Sequence, residues 1–284
     1  MQTKTGFYMF LFCLLVLSTI ANNAQTIAVL TPDKAVASRD FAGTLSEQLG
    51  EKFKVLDDSL AESAYLSVSP DTPFNLTTDQ SKRIGTTIGS DALLLIRSAT
   101  QRRSAFQRAE YYESYAVIYG VSSRTGRLIY WKLQKFEAAK PAEAAKMLSA
   151  SITSLADEIA PKLKAALKQE LNEAALPNFD EVPDEATAEQ DFKAPIPFRR
   201  LKPEYTAQAA LFDIKATVDA MIYMDEKGTV VAIEPVRWAG FGLDESVDRN
   251  IRAMNWRPAT RGPKTSAMKF LVRYNFKKIT DSNR

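Results

Sequence analysis

The sequence predicts two mixed units in series: a layered α/β domain over residues 25–170 and a smaller α+β domain over residues 200–278. Three observations predict this. The last eighty residues contain three stretches in which apolar and polar side chains alternate, the period of a strand with one buried face. Residues 25–170 mix short apolar runs with stripes repeating every three or four residues, the mark of strands covered by amphipathic helices. Between them, residues 171–199 hold four prolines and an acidic excess, which reads as an extended connector. The composition, 45% hydrophobic and 25% charged over 284 residues, suits two ordinary globular cores.

The chain opens with Lys4 and an unbroken apolar run over residues 6–21, followed by small residues. Residues 1–24 have the form of a cleaved secretory signal. The alternative is an uncleaved anchor, but the run would span only about 24 Å against a bilayer core of about 30 Å. Cys13, the single cysteine, lies within the run, so a processed chain has no cysteine for a disulfide. The expected location is the periplasm or cell envelope, with the membrane met only through that signal or anchor.

The first unit begins with an apolar strand at Thr26–Leu30. Phe41, Leu45 and Leu49 mark a helix, and residues 53–56 a second strand ending at Asp57-Asp58. Thr77 opens the next helix, whose face continues through Ile84 and Ile88 to a glycine C-cap at Gly89. Residues 92–96 are apolar without alternation, as in a strand covered on both sides. Residues 112–121 and 128–136 pair as a hairpin across Ser122–Gly126. After Pro141, Ala144, Leu148, Ile152, Leu155, Ile159, Leu163 and Leu167 form one helical stripe, with a kink or break expected at Pro161.

The second unit starts with alternation from Ile214 to Asp225, where Ile214, Ala216, Val218, Ala220, Ile222 and Met224 share one side. Asp225–Gly228 turns the chain into a second strand at residues 229–233. Leu243, Val247, Ile251 and Met254 form a helix stripe. After Trp256-Arg257-Pro258-Ala259 the chain turns at Arg261-Gly262-Pro263. Met268, Phe270, Val272, Tyr274 and Phe276 then alternate with Lys269, Leu271, Arg273 and Asn275. The long helical connection carries the third strand beside the first, giving the order two-one-three and leaving the last strand as an edge. A tail follows over 279–284.

This second stretch resembles the TonB C-terminal domain family. The likeness is carried by Pro203-Glu204-Tyr205, by Gly228-Thr229-Val230 after the first strand, and by Leu243-Asp244 at the helix start. Trp256, Pro258, Ala259, Gly262 and the strand Phe270-Val272-Tyr274-Phe276 complete it. The chain departs from the family pattern at Thr206, where a proline is usual, and at Ala216, where a glycine is usual. Residues 25–170 are similar, through Ile27–Leu30, Ser123–Ile129 and Trp131, to the α/β domains of bacterial envelope proteins such as CsgG and the N-terminal part of TolB.

The chain has no histidine, which removes histidine acid–base catalysis, Ser-His-Asp and Cys-His nucleophile systems and nearly all zinc sites. Neither a phosphate-binding loop nor a nucleophile elbow occurs. No enzymatic activity, cofactor or metal is expected. The net charge of +3 gives no argument for nucleic acid. Residues 196–284 carry 16 basic and 10 acidic side chains and residues 168–195 carry 2 and 8, so the connector and the last unit have opposite signs.

The resemblance implies a non-catalytic interaction module whose last strand captures an extended partner segment, such as part of an outer-membrane receptor. Met268, Lys269, Phe270, Leu271, Val272, Arg273 and Tyr274 are the candidate contacts, and Val272→Pro is the expected disrupting change. Proton-coupled transducers of that family carry an anchor histidine, so this chain reads as an adaptor. The alternative is an envelope scaffold that forms a homodimer through the same edge. Arg102, Arg103 and Arg108, with Phe106, are placed in a loop that either meets an anionic surface or is simply solvated. Trp238 and Phe241 fit equally a core lid or an exposed tip. Trp256 fits the core, and Asn75-Leu76-Thr77 is a chance glycosylation sequon.

Overall fold

A computed structural model of the chain describes residues 25–105, 108–184 and 188–278. The segment read as a signal or anchor, Phe106 and the tail from residue 279 lie outside them. In chain order the first unit comprises β1 (Thr26–Leu30), α1 (Val36–Gly50), β2 (Lys54–Val55), α2 (Asp58–Val68), α3 (Thr78–Ile88), β3 (Ala92–Ala105), β4 (Arg108–Ser122), β5 (Leu128–Ala138), α4 (Pro141–Ala150) and α5 (Ile152–Leu171). The connector holds β6 (Asp180–Glu181), β7 (Phe192–Lys193) and β8 (Ile196–Pro197). The second unit comprises α6 (Ala207–Leu211), β9 (Ala216–Met224), β10 (Val230–Arg237), α7 (Leu243–Ala253), β11 (Trp256–Arg257), β12 (Ala259–Arg261), β13 (Lys264–Ser266) and β14 (Met268–Phe276).

The first unit is a five-stranded sheet of order β2-β1-β3-β4-β5. β1 is parallel to both neighbours, while β3, β4 and β5 form an antiparallel meander. The alternating side chains of β3 and β4 divide between two cores. Leu94, Ile96, Ala116 and Ile118 pack with α1, α4 and α5 through Leu45, Leu148, Leu155, Ile159 and Leu163. Leu93, Leu95, Val117 and Tyr119 face the other way, onto α2 and α3.

Three sequence expectations are corrected here. The long helix continues through Pro161 and breaks instead at Ser151. Pro161 is exposed, so water can serve the carbonyl its missing amide leaves free. The helix α2 was not foreseen: Asp57, placed at the end of the second strand, caps it by accepting from the amides of Ser59 and Leu60. Arg102 and Arg103 lie within β3 and Arg108 begins β4, so the expected loop is a long hairpin. The turn expected at Arg261-Gly262-Pro263 closes a short hairpin, β12–β13.

The second unit has the sheet order β10-β9-β14-β6. The order two-one-three holds for β10, β9 and β14, and β14 pairs with β9 along its whole length. Val218, Ala220, Ile222 and Met224 face α7, whose Leu243, Val247 and Ile251 are buried against them. This core is continuous with the α2–α3 side of the first sheet, so one apolar interior spans both units. Trp238 and Phe241, 1% and 2% exposed, sit in it with Tyr119. They are core. Trp256 is buried too, its indole N–H bonded to the Ile251 carbonyl and its ring edge-on to Phe270.

The loop Trp238–Gly242 shows why glycine is needed there. Gly240 has φ +71°, and a Cβ on it would lie 2.5 Å from the Trp131 indole nitrogen. Only a residue without a side chain lets this loop seat on β4 and β5.

Candidate functional site

The site begins with the backbone of β14. The Val182 amide donates to the Lys269 carbonyl at 2.9 Å, so Lys269 faces away from β9. Antiparallel pairing alternates by residue, so Leu271, Arg273 and Asn275 also present their amides and carbonyls outward. Met268, Phe270, Val272, Tyr274 and Phe276 exchange theirs with β9. Two consequences correct the sequence reading. The edge is not open along its full length, because β6 covers it at Met268 and Lys269. The Val272 amide serves the interior ladder, so Val272→Pro would damage the sheet itself, and Leu271 is the position that tests the edge.

Side chains of β14 divide between the two faces. Met268, Phe270 and Phe276 are buried. Leu271 is 46% exposed. Arg273 is committed across the sheet: its guanidinium grips Asp219 with contacts of 2.7 and 2.9 Å. Asp219 is 2% exposed and also has Arg237 at 3.4 Å. This bidentate pair fixes the register of β14 on β9. Beside the outer edge runs a groove of about 340 Å³. It is lined by Ile196, Pro197, Arg200, Met254, Trp256 and Leu271–Tyr274.

The residues that carried the family likeness hold this frame. The Tyr205 hydroxyl donates to the carbonyls of Ala209 and Ile214, closing the turn after α6. Thr206, where the family has proline, caps α6 and donates to the Phe241 carbonyl. Pro203, Leu243 and Ala259 are buried. Gly228, at φ +83°, brings the β9–β10 turn against the Trp256 carbonyl and Pro258. Val230 opens β10 opposite Met224. The Gly262 amide donates to the Asp191 carbonyl, tying the β12–β13 turn to the connector.

Asp244 is a half-buried carboxylate of this frame. It accepts from the Ala239 amide at 3.0 and 3.2 Å and from the Gly240 amide at 2.6 Å. Burial pushes its carboxyl up to about 7 from 3.8, against the downward pull of those donors. The native state then holds this proton more tightly than the unfolded chain does. Stability from this group is complete below about pH 4 and is lost as the pH rises to about 7. Melting wild type and Asp244→Asn side by side from about pH 4 to 8 checks this. The Tm difference should shift against the wild type with rising pH, and a constant difference contradicts it.

Arg103, expected in a loop that meets an anionic surface or is solvated, is used internally. It bonds Glu113 at 2.9 Å, donates to the Leu211 carbonyl and stacks 5.2 Å over the Phe212 ring. Burial raises the Glu113 carboxyl, but hydrogen bonds from Lys135, Gln101 and Arg103 outweigh it and hold the group low. Arg102 is exposed beside Glu110. Asn75 is buried with its amide fully engaged, which leaves no room for a glycan.

These features define a mixed α/β protein with several sheets and a partly covered strand edge. No protein-family model matches the sequence, and neither does any curated protein. Among solved structures the chain is similar to lipoprotein GNA1162 from Neisseria meningitidis, with TM-score 0.33 and 15% identity, over 48% of this chain and 99% of that one. It is similar to the TonB C-terminal domain of Pseudomonas aeruginosa, with TM-score 0.27 and 20% identity, over 34% and 94%. A minor lipoprotein from Acinetobacter baumannii gives TM-score 0.27 and 9% identity, over 50% and 94%. Among the described residues no helix is long and apolar enough to cross a membrane.

Proposed function

We propose that the chain is a non-catalytic interaction module of the cell envelope that takes an extended partner segment onto the outer side of β14. The observation carrying this reading is the row of outward backbone groups at Leu271, Arg273 and Asn275, with which no described strand pairs. An added strand would satisfy those groups and lay alternate side chains over the groove lined by Met254 and Trp256. The apolar run at residues 6–21 supports export, and an envelope protein such as an outer-membrane receptor is the partner class.

Leu271→Pro tests the reading. Proline removes one outward amide while leaving the β9 ladder intact, and an edge position tolerates it. With residues 25–284 as bait against solubilised envelope proteins, capture should fall at least about tenfold, equivalent to roughly 1.4 kcal/mol. The circular dichroism should not change. Undiminished capture by the folded variant excludes the edge as the binding surface. A change in oligomeric state alone would favour the homodimeric scaffold.

A further inference from the structure

We propose that Asp180–Val182 is a tethered plug of the β14 edge, by which the chain itself withholds part of the surface that a partner strand would use. The inference rests on the strand-addition reading above. The segment already makes the contact that reading requires: it runs parallel to β14, with Asp180 opposite Met268 and Glu181 opposite Lys269. The Val182 amide supplies a hydrogen bond to the Lys269 carbonyl.

The contact is built to be reversible. Only two residues pair, and the Asp180 and Glu181 side chains are exposed. Two apolar side chains seat the segment. The Phe179 ring lies 6.3 Å from that of Tyr223, and Val182 packs half-buried against the shared core.

Both ends of the surrounding stretch are held independently. Leu171 ends α5 on one side, and Phe192 and Lys193 pair with β12 on the other. The plug can therefore leave the edge without unfolding either unit. Tethering keeps its local concentration at roughly the millimolar level, so a short pairing suffices to occupy the edge. A competing strand then binds with an affinity reduced by the fraction of molecules in which the edge is free. The acidic connector thus lies along the basic unit, as their opposite charges favour.

The test uses the segment as its own probe. A synthetic peptide of residues 177–183 is titrated into isotope-labelled chain 25–284, wild type and Val182→Pro, and the Lys269–Asn275 amide resonances are followed. The variant lacks the amide that bonds Lys269. It should bind the peptide with a Kd roughly tenfold lower than the wild type, as expected if about nine molecules in ten are plugged. Phe179→Ala with Val182→Ala, which keeps every backbone donor but removes both apolar anchors, should give an intermediate gain. Equal affinity of wild type and Val182→Pro overturns the proposal. Absence of binding to either protein overturns it as well, and the Leu271→Pro capture then decides separately whether strand addition survives.

Discussion

Trp238→Ala should lower the unfolding free energy by about 3–5 kcal/mol, the range for removing a large aromatic side chain from a packed interior. Trp238 is 1% exposed, and its indole N–H donates to the Gly126 carbonyl at 3.2 Å. Its ring lies 5.6 Å from that of Tyr119. The walls of the resulting cavity come from both units, from Tyr119 on β4 and from Phe241 before α7, so neither can collapse inward alone. Urea denaturation followed by fluorescence measures the loss. A cost under about 1 kcal/mol would mean that the side chain does not fill the shared core. The continuous interior also implies a single cooperative transition for the wild type, and two separated transitions would contradict it.

Asn75→Ala should cost a similar amount, about 3–5 kcal/mol, by a different route. Asn75 comes from the first unit, just before α3, yet its amide behaves as an extra residue of the second sheet. The Thr217 amide donates to its Oδ1 at 2.8 Å, and its Nδ2 donates to the carbonyls of Thr217 at 2.8 Å and Trp238 at 2.5 Å. Alanine would strand three backbone groups in a buried place, each at about 1–3 kcal/mol. Asn75→Asp should be at least as damaging, because it sets a carboxylate oxygen against two carbonyls. If the aspartate variant were as stable as wild type, the described bonding would be wrong. Asn75 bonds the backbone carbonyl of Trp238, so the two sites adjoin and the double variant should depart from the sum of the two single losses.

Much of the fold was legible because it depends on local periodicity. Phe41, Leu45 and Leu49, the alternation from Ala216 to Met224, and the Thr77 and Gly89 caps each carry their signal within a few residues. Asp57-Asp58-Ser59 offered a helix N-cap signal as well, and α2 was missed because Asp57-Asp58 were read as the end of a strand. The connector could not be read in this way. Its prolines and acids describe an extended chain but do not say what lies beside it. β6, β7 and β8 are two-residue pairings with β14, β12 and β11, too short to mark themselves in composition.

The candidate edge was half legible. Alternation placed Met268, Phe270 and Phe276 inward and Leu271 outward. It left open which backbone groups face β9, because either choice fits the same side-chain pattern. The Val182–Lys269 bond settles that. Arg273 and Arg103 looked available from sequence, and both are taken by carboxylates, Arg273 by Asp219 far away in the chain and Arg103 by Glu113 across its own hairpin.

By itself the sequence determined the long strands and most of the helices, the two-one-three pairing of the last unit and the absence of histidine. Each follows from side-chain identity and short-range spacing. Only the tertiary structure decided that the two units share one interior, that Asn75 and Trp238 join them, and that the connector covers part of the last strand. Those outcomes depend on contacts between residues far apart in sequence, such as Asn75 with Thr217, and no local pattern encodes which distant partner a surface will meet.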